Sequence, residues 1–271
     1  MKKLILFIPL LSLSQNYTSY FTGNSNNIFR ETNGGVCLMG GATEDDNAMI
    51  WFLERSNGGD ILVLRTSGSN GYNDYLYNEL GVDVNSVETI VLNNSSAANE
   101  SYIHNKVLNA EAIWFAGGDQ SNYVNYIRGT QLNIMINEAI FERNIVIGGT
   151  SAGMAIMGGY YFTAQNGTVT SSEALFDPYN ESVTVDNTPF LEVNYLSNVI
   201  TDQHYDDPDR KGRHVVFMSR ILTDYGTPVF GIACDEYTAV CIDFNGNAKV
   251  FGEYPNYDDN AYFLQVNCEV S

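Results

Sequence analysis

One hexapeptide in this 271-residue chain has the spacing of a nucleophile: Gly148-Gly149-Thr150-Ser151-Ala152-Gly153. It follows the apolar run Ile145-Val146-Ile147 and precedes Met154-Ala155-Ile156-Met157, so a buried strand is expected to give way to a helix across it. The last five residues fit G-x-S-x-G, in which a sharp strand-to-helix turn holds serine in a strained backbone conformation with its hydroxyl outward. Small neighbours suit so close a crossing, and the helix start offers amide donors to negative charge on a carbonyl oxygen. A purely structural glycine–serine turn is the alternative reading.

A serine hydroxyl needs a base to attack, and the chain has three histidines. His104 lies in an expected helix among polar residues, which suits a solvated surface. His214 sits beside Arg213 at the start of an amphipathic segment and is expected at the surface or at a helix start. His204 follows the strand Val199-Ile200-Thr201 in Asp202-Gln203-His204-Tyr205. Ligands and catalytic groups collect at the carboxyl ends of parallel strands, so His204 is the candidate base. Its imidazolium needs a carboxylate partner. Glu236, after the apolar run 229–234, is preferred, with Asp235 and Asp202 as rivals.

Phe115-Ala116-Gly117-Gly118-Asp119-Gln120 ends a third apolar run on two glycines, where something approaches the backbone closely. Gly118 and Ala152 are candidate oxyanion amides, and Gln120 is a candidate substrate contact; a plain strand–helix turn is the alternative. Gly40-Gly41-Ala42 repeats the pattern after the first run, with no role assigned.

The elements that must position these residues follow from the alternation of short apolar runs with amphipathic segments. Strands are expected at 36–39, 61–64, 89–92, 112–116 and 145–147, each continuously apolar as in strands covered on both faces. Helices are expected at 72–80, 98–108 and 123–143. This alternation predicts an α/β fold in three layers, a mostly parallel sheet with helices on both faces. Further on, 199–201 and 229–234 read as strands and 215–222 as a helix. Asn245-Gly246-Asn247, between 239–244 and 248–251, signals a C-terminal β-hairpin. Residues 16–33, rich in asparagine, read as a loose N-terminal arm before one domain over 34–271.

The chain is 44% hydrophobic and 17% charged, within the range of a soluble globular protein. Its net charge of −19 argues against nucleic acid and anionic membrane as partners. Met1-Lys2-Lys3 followed by apolar residues 4–13 has the layout of a secretory signal ending near residue 15, so a secreted or periplasmic location is expected. Four cysteines, Cys37, Cys234, Cys241 and Cys268, allow three complete pairings, among which sequence does not choose. Three of them sit in strand-like runs and also read as small buried hydrophobes. None has metal-ligand spacing. Composition leaves monomer and homodimer both open.

Taken in order, Gly40-Gly41-Ala42, residues 115–120, residues 148–153, Asp202-Gln203-His204-Tyr205, residues 210–213 and residues 231–239 resemble the cyanophycinases and related aspartyl dipeptidases. The resemblance spans about residues 34 to 253. It implies a fold like the class I glutamine amidotransferases, with a Ser-His-Glu triad of Ser151, His204 and Glu236. It assigns Gly118 and Ala152 to the oxyanion hole. It implies hydrolysis of a peptide substrate, cyanophycin or another aspartate-containing peptide, with no metal or organic cofactor. Arg210 and Arg213 match part of an arginine-rich stretch that holds substrate carboxylates in that family. An expected first arginine is replaced near Pro208, and Asp206, Asp207 and Asp209 have entered. The segment 161–198 is long and reads as a different substrate lid. The rival readings are an exopeptidase of other preference, an esterase, and a non-catalytic binding protein of the same fold. The Ser…His…Glu order disfavours the esterase, because α/β-hydrolases place the acid before the histidine.

Overall fold

The computed structural model describes residues 15–267. The first half of the chain alternates strands and helices: β1 (Tyr17–Gly23), β2 (Gly35–Met39), α1 (Asp46–Arg55), β3 (Asp60–Arg65), a short α2 (Gly71–Asp74) that runs into a π-helical turn over Tyr75–Glu79, β4 (Ser86–Leu92), α3 (Ser101–Asn109) and β5 (Ala112–Phe115). Then come α4 (Gln120–Ile127), α5 (Gln131–Glu142), β6 (Val146–Thr150) and α6 (Ala152–Ala155). The second half holds β7 (Tyr161–Phe162), α7 (Ser171–Phe176), β8 (Val185–Asp186), β9 (Val199–Asp202), α8 (Lys211–Tyr225), β10 (Phe230–Cys234), β11 (Ala239–Ile242), β12 (Ala248–Phe251) and β13 (Ala261–Gln265).

The main sheet has eight strands in the order β1-β4-β3-β5-β6-β2-β11-β12. The five from β4 to β2 run parallel, while β1 lies antiparallel to β4, β11 to β2 and β12 to β11. Successive side chains on a strand face opposite ways. Leu38, Leu62, Leu64, Ile113, Phe115 and Ile147 therefore face one core with α3, α4 and α5, while Cys37, Met39, Ile61, Val63 and Trp114 face the other with α1. Trp114 is fully buried, edge-on to Phe52 with ring centroids 5.1 Å apart. This is the expected three-layer α/β fold, and the β11–β12 hairpin turns at Gly246 (φ 83°) as Asn245-Gly246-Asn247 predicts.

A second sheet, in the order β13-β10-β9, carries the site's other half: β10 lies parallel to β9 and antiparallel to β13. Segment 161–198 supplies β7, β8 and α7, and α7 packs on α8.

Three features differ from expectation. The loose arm contributes β1, whose residues pair with β4 from Tyr17↔Leu92 to Gly23↔Ser86; its Tyr-Thr-Ser-Tyr-Phe-Thr run suits a half-covered edge strand. The single helix expected over 123–143 is two. Arg128 leaves helical geometry, Gly129 takes φ 72°, and the Thr130 side chain accepts from the Asn133 amide to cap α5. Strand β13 was not expected at all. The signal segment, apart from Gln15, and Cys268 lie outside the described residues. Among those described, no helix is long and apolar enough to cross a membrane.

Candidate active site

Ser151 joins β6 to α6 with φ 52° and ψ −115°, a conformation that side chains with a Cβ rarely adopt. The turn is held from several sides. The Ser151 amide donates to Met39 O (3.1 Å), and a Cβ on Gly149 or Gly153 would meet backbone atoms at 2.6 Å and 2.0 Å. The chain crosses itself where G-x-S-x-G requires small residues, and the side chain is left only half-buried.

His204 lies just past the carboxyl end of β9, also at positive φ (47°), with its amide on Gly40 O at 2.9 Å. Glu236 follows β10, the parallel neighbour of β9, and its amide donates to Asp206 Oδ1 (3.0 Å). The imidazole bridges the two other side chains: Nε2 is 2.8 Å from Ser151 Oγ and Nδ1 is 2.5 Å from Glu236 Oε1. Because a carboxylate only accepts, Nδ1 carries hydrogen and Nε2 is free to accept from the serine hydroxyl. About a fifth of the His204 side chain and a quarter of the Glu236 side chain are exposed, so the row is open to solvent at one edge.

Gly40 and Gly41, which had no assigned role, form the seat of this histidine. A Cβ on Gly41 (φ 123°) would lie 2.4 Å from His204 Cε1 and Nε2, and one on Gly40 would lie 1.9 Å from Asp235 O. Gly40 N donates to Thr238 O (2.8 Å), and Tyr237 N donates to Gly41 O (3.1 Å). The two-glycine end of β2 is thus wedged between the turns that carry base and acid. Ending an apolar run on two glycines was the available signal.

Gly117 packs against the nucleophile turn: a Cβ there would lie 3.5 Å from Ser151 Cβ. Gly118 (φ 145°) follows, and its amide has no protein acceptor among the described residues. Ala152 N is the first amide of α6, where helix geometry supplies no acceptor. Gln120 is buried, with its amide 3.5 Å from Phe162 O.

The rival acids are engaged elsewhere. Asp235 accepts from the Asn260 amide, and Asp202 is paired with Arg213. Arg213 is therefore not at hand for a substrate carboxylate, contrary to expectation. It is 2% exposed, with Nε 2.9 Å from Asp202 Oδ2, Nη2 2.5 Å from Asp202 Oδ1, and Nη1 near Thr168 Oγ1 and Val169 O. Burial alone would raise the Asp202 pKa, but the Arg213 charge and hydrogen bonds bring it below the usual carboxylate range. Arg210 is half-buried. Its Nη1 donates to Gln203 O (3.1 Å), its Nε is buried without a partner, and burial followed by the Arg213 charge lowers its pKa to about 10. His214 lies in the first turn of α8, one of its two expected places, but is fully buried rather than at the surface, with Nε2 3.3 Å from Ile200 O and its ring edge-on to Tyr205; burial lowers its pKa. Among the described residues, no group of three or more His, Cys, Asp or Glu side chains is placed to hold a metal ion.

A serine, imidazole and carboxylate in one hydrogen-bonded row, beside two unengaged amides, is an arrangement able to run acyl transfer. Among known proteins, the pattern of peptidase family S51 matches residues 69–248, most of the chain, a span within which Ser151, His204 and Glu236 lie. The chain belongs to peptidase family S51. Among relatives, a cyanophycinase of Synechococcus elongatus is 25% identical over 227 residues, covering 81% of this chain and 66% of the relative. A cyanophycinase of Trichormus variabilis is 22% identical over 178 residues, covering 66% of this chain and 54% of the relative. The chain thus spans just under two thirds of the first relative's length and about half of the second's. The crystal structure of a peptidase from an acI-B1 actinobacterium shares the fold, with TM-score 0.59 at 14% identity, covering 87% of this chain and 98% of that one. The S51 match ends within β12, so β13 lies beyond it.

Proposed function

We propose that this S51 chain is a serine hydrolase that cleaves peptide bonds next to aspartate, in the manner of cyanophycinases, through Ser151, His204 and Glu236. The observation that carries the reading is the His204 ring, shared between Ser151 Oγ at 2.8 Å and Glu236 Oε1 at 2.5 Å. Ser151 Oγ attacks the scissile carbonyl as His204 Nε2 takes its proton. Glu236 holds Nδ1–H and stabilises the imidazolium. Charge on the carbonyl oxygen is met by the amides of Gly118 and Ala152. The imidazolium then protonates the departing amine. Water, deprotonated by the same nitrogen, releases the acyl group from Ser151.

Arg210 is the cation left to receive a substrate carboxylate, with Gln120 as a further contact. The relatives' names support cyanophycin as a substrate, and a short aspartyl peptide is the alternative. We also propose export, on the basic and apolar pattern of residues 1–15. Ser151→Ala should abolish turnover of cyanophycin and of an Asp-X dipeptide library, scored by mass spectrometry, and leave the thermal unfolding midpoint within a few degrees. Full activity in that variant refutes the nucleophile. Cleavage of the dipeptides alone would select the second substrate class.

A further inference from the structure

Cys37 and Cys241 lie on the two strands that bring Gly40 to the histidine and follow Glu236, and they face each other in the β2–β11 register. In an antiparallel pair, facing residues alternate between exchanging backbone hydrogen bonds and not doing so. Gly40, one step beyond Met39↔Ala239, donates to Thr238 O at 2.8 Å, so that facing pair is hydrogen-bonded. Three steps back, Cys37 and Cys241 form a non-hydrogen-bonded pair. The other edge of β11 gives the same phase. Asp243 N donates to Asn247 O across the hairpin, so Cys241 also turns its backbone groups toward β12. Facing Cα atoms in a non-hydrogen-bonded pair lie about 4.5 Å apart with side chains on one face, at the short end of the span a disulfide bridges, about 4.4–6.8 Å. Both side chains sit buried in the core with α1, as free thiols. Cys234 is excluded by facing: it belongs to the opposite core, with its thiol on Leu38 O.

We infer that Cys37 and Cys241 are a disulfide site, closed across β2 and β11 by a disulfide-class oxidant when the chain folds. The thiolate of one cysteine attacks the oxidant's disulfide, giving a mixed disulfide and releasing one thiol. The second cysteine displaces the other, so two protons and two electrons leave the protein and the oxidant departs as two thiols. Burial and the neighbouring thiol hold Cys37 well above the ordinary thiol range in the folded sheet, which slows attack there. Closure thus belongs to folding, before β11 and its hairpin cover the pair.

The test is refolding of the full chain from denaturant in mixed oxidised and reduced glutathione, followed by alkylation in denaturant. Trypsin together with an endoproteinase that cuts after Glu236 separates Cys234 from Cys241. The expected result is a loss of 2 Da and one linked peptide pair joining Cys37 to Cys241, kept in Cys234→Ala and absent in Cys241→Ala. The double variant Cys234→Ala/Cys268→Ala, which retains only this pair, should show the same loss. Full alkylation of both remaining thiols in that variant overturns the inference, and so does a wild-type link through Cys234 or Cys268. Because the readout is mass, it stands apart from whether Ser151 is catalytic.

Discussion

Replacing Gly41 with alanine tests the seat of the histidine directly. The added Cβ would stand 2.4 Å from both Cε1 and Nε2 of His204, where ordinary contact begins at 3.4 Å. The ring must therefore retreat by about 1 Å, and Nε2 is one of the atoms pushed. Starting from 2.8 Å to Ser151 Oγ, such a shift takes the pair past hydrogen-bonding range. Misplacement of about 1 Å costs on the order of 100-fold in rate, equivalent to about 2.7 kcal/mol of barrier. The alanine must also adopt φ 123°, a strain of about 1–3 kcal/mol that lowers stability independently. Gly129→Ala separates the two effects: its φ is 72° and nothing lies within 4 Å of its Cβ position, so it carries backbone strain without a clash, away from the triad. The assay is the second-order rate of Ser151 labelling by a fluorophosphonate, measured beside thermal unfolding. Gly41→Ala should label about 100-fold more slowly and Gly129→Ala at the wild-type rate, with both melting lower. Labelling of folded Gly41→Ala within twofold of wild type would refute the claim that His204, held on Gly41, activates the serine.

Glu236→Gln should keep the fold and slow labelling by about 10²–10⁴-fold, because an amide no longer enforces the Nδ1–H tautomer or balances imidazolium; wild-type reactivity would return the acid's role to another group. Asp202→Asn leaves the Arg213 charge buried without its counter-ion and should cost about 3–5 kcal/mol in urea unfolding; a loss under 1 kcal/mol would mean that water reaches the pair. Stability should also fall on acidification in two windows. Burial depresses the His214 pKa, so below the ordinary imidazole range, about 6.5, the unfolded chain binds a proton that the folded chain refuses. That contribution is complete above about pH 6.5 and declines as pH falls, by at most about 1.4 kcal/mol per pH unit. The depressed Asp202 carboxyl behaves alike below about pH 4. His214→Phe should flatten the upper window in urea midpoints taken between pH 7 and 5, and an unchanged slope would contradict a buried neutral imidazole.

Strands β2 to β6 of the parallel core were legible because a strand covered on both faces is an uninterrupted apolar run, as in residues 61–64 and 112–115. Strand β1 was not, since an edge strand of Tyr, Thr and Ser inside an asparagine-rich stretch carries no such run. The break between α4 and α5 was hidden because apolar periodicity continues from Val124 through Ile136 across Gly129. At the site, Ser151 and His204 were marked by local turn chemistry. The carboxylate that meets the imidazole was not, because that depends on the β9–β10 register and on Arg213 taking Asp202. The burial of Arg213 and His214 has the same origin. Both begin α8, and only the packing of α8 against β9 shows that this first turn faces inward.

The nucleophile belongs to one sheet and its base and acid to another, and this split gives the catalytic row two unequal joints. His204 and Glu236 ride on hydrogen-bonded neighbours, whereas the link from His204 to Ser151 crosses a seam tied by the glycines after Met39, by Thr201 Oγ1 on Met154 O and by the Tyr160–Ile200 bridge. A small slippage of the lesser sheet would uncouple the alcohol while leaving the imidazole–carboxylate contact whole. Warming should therefore silence the serine before either sheet loses its strands, and the temperature of that silencing would measure how firmly the two halves are docked.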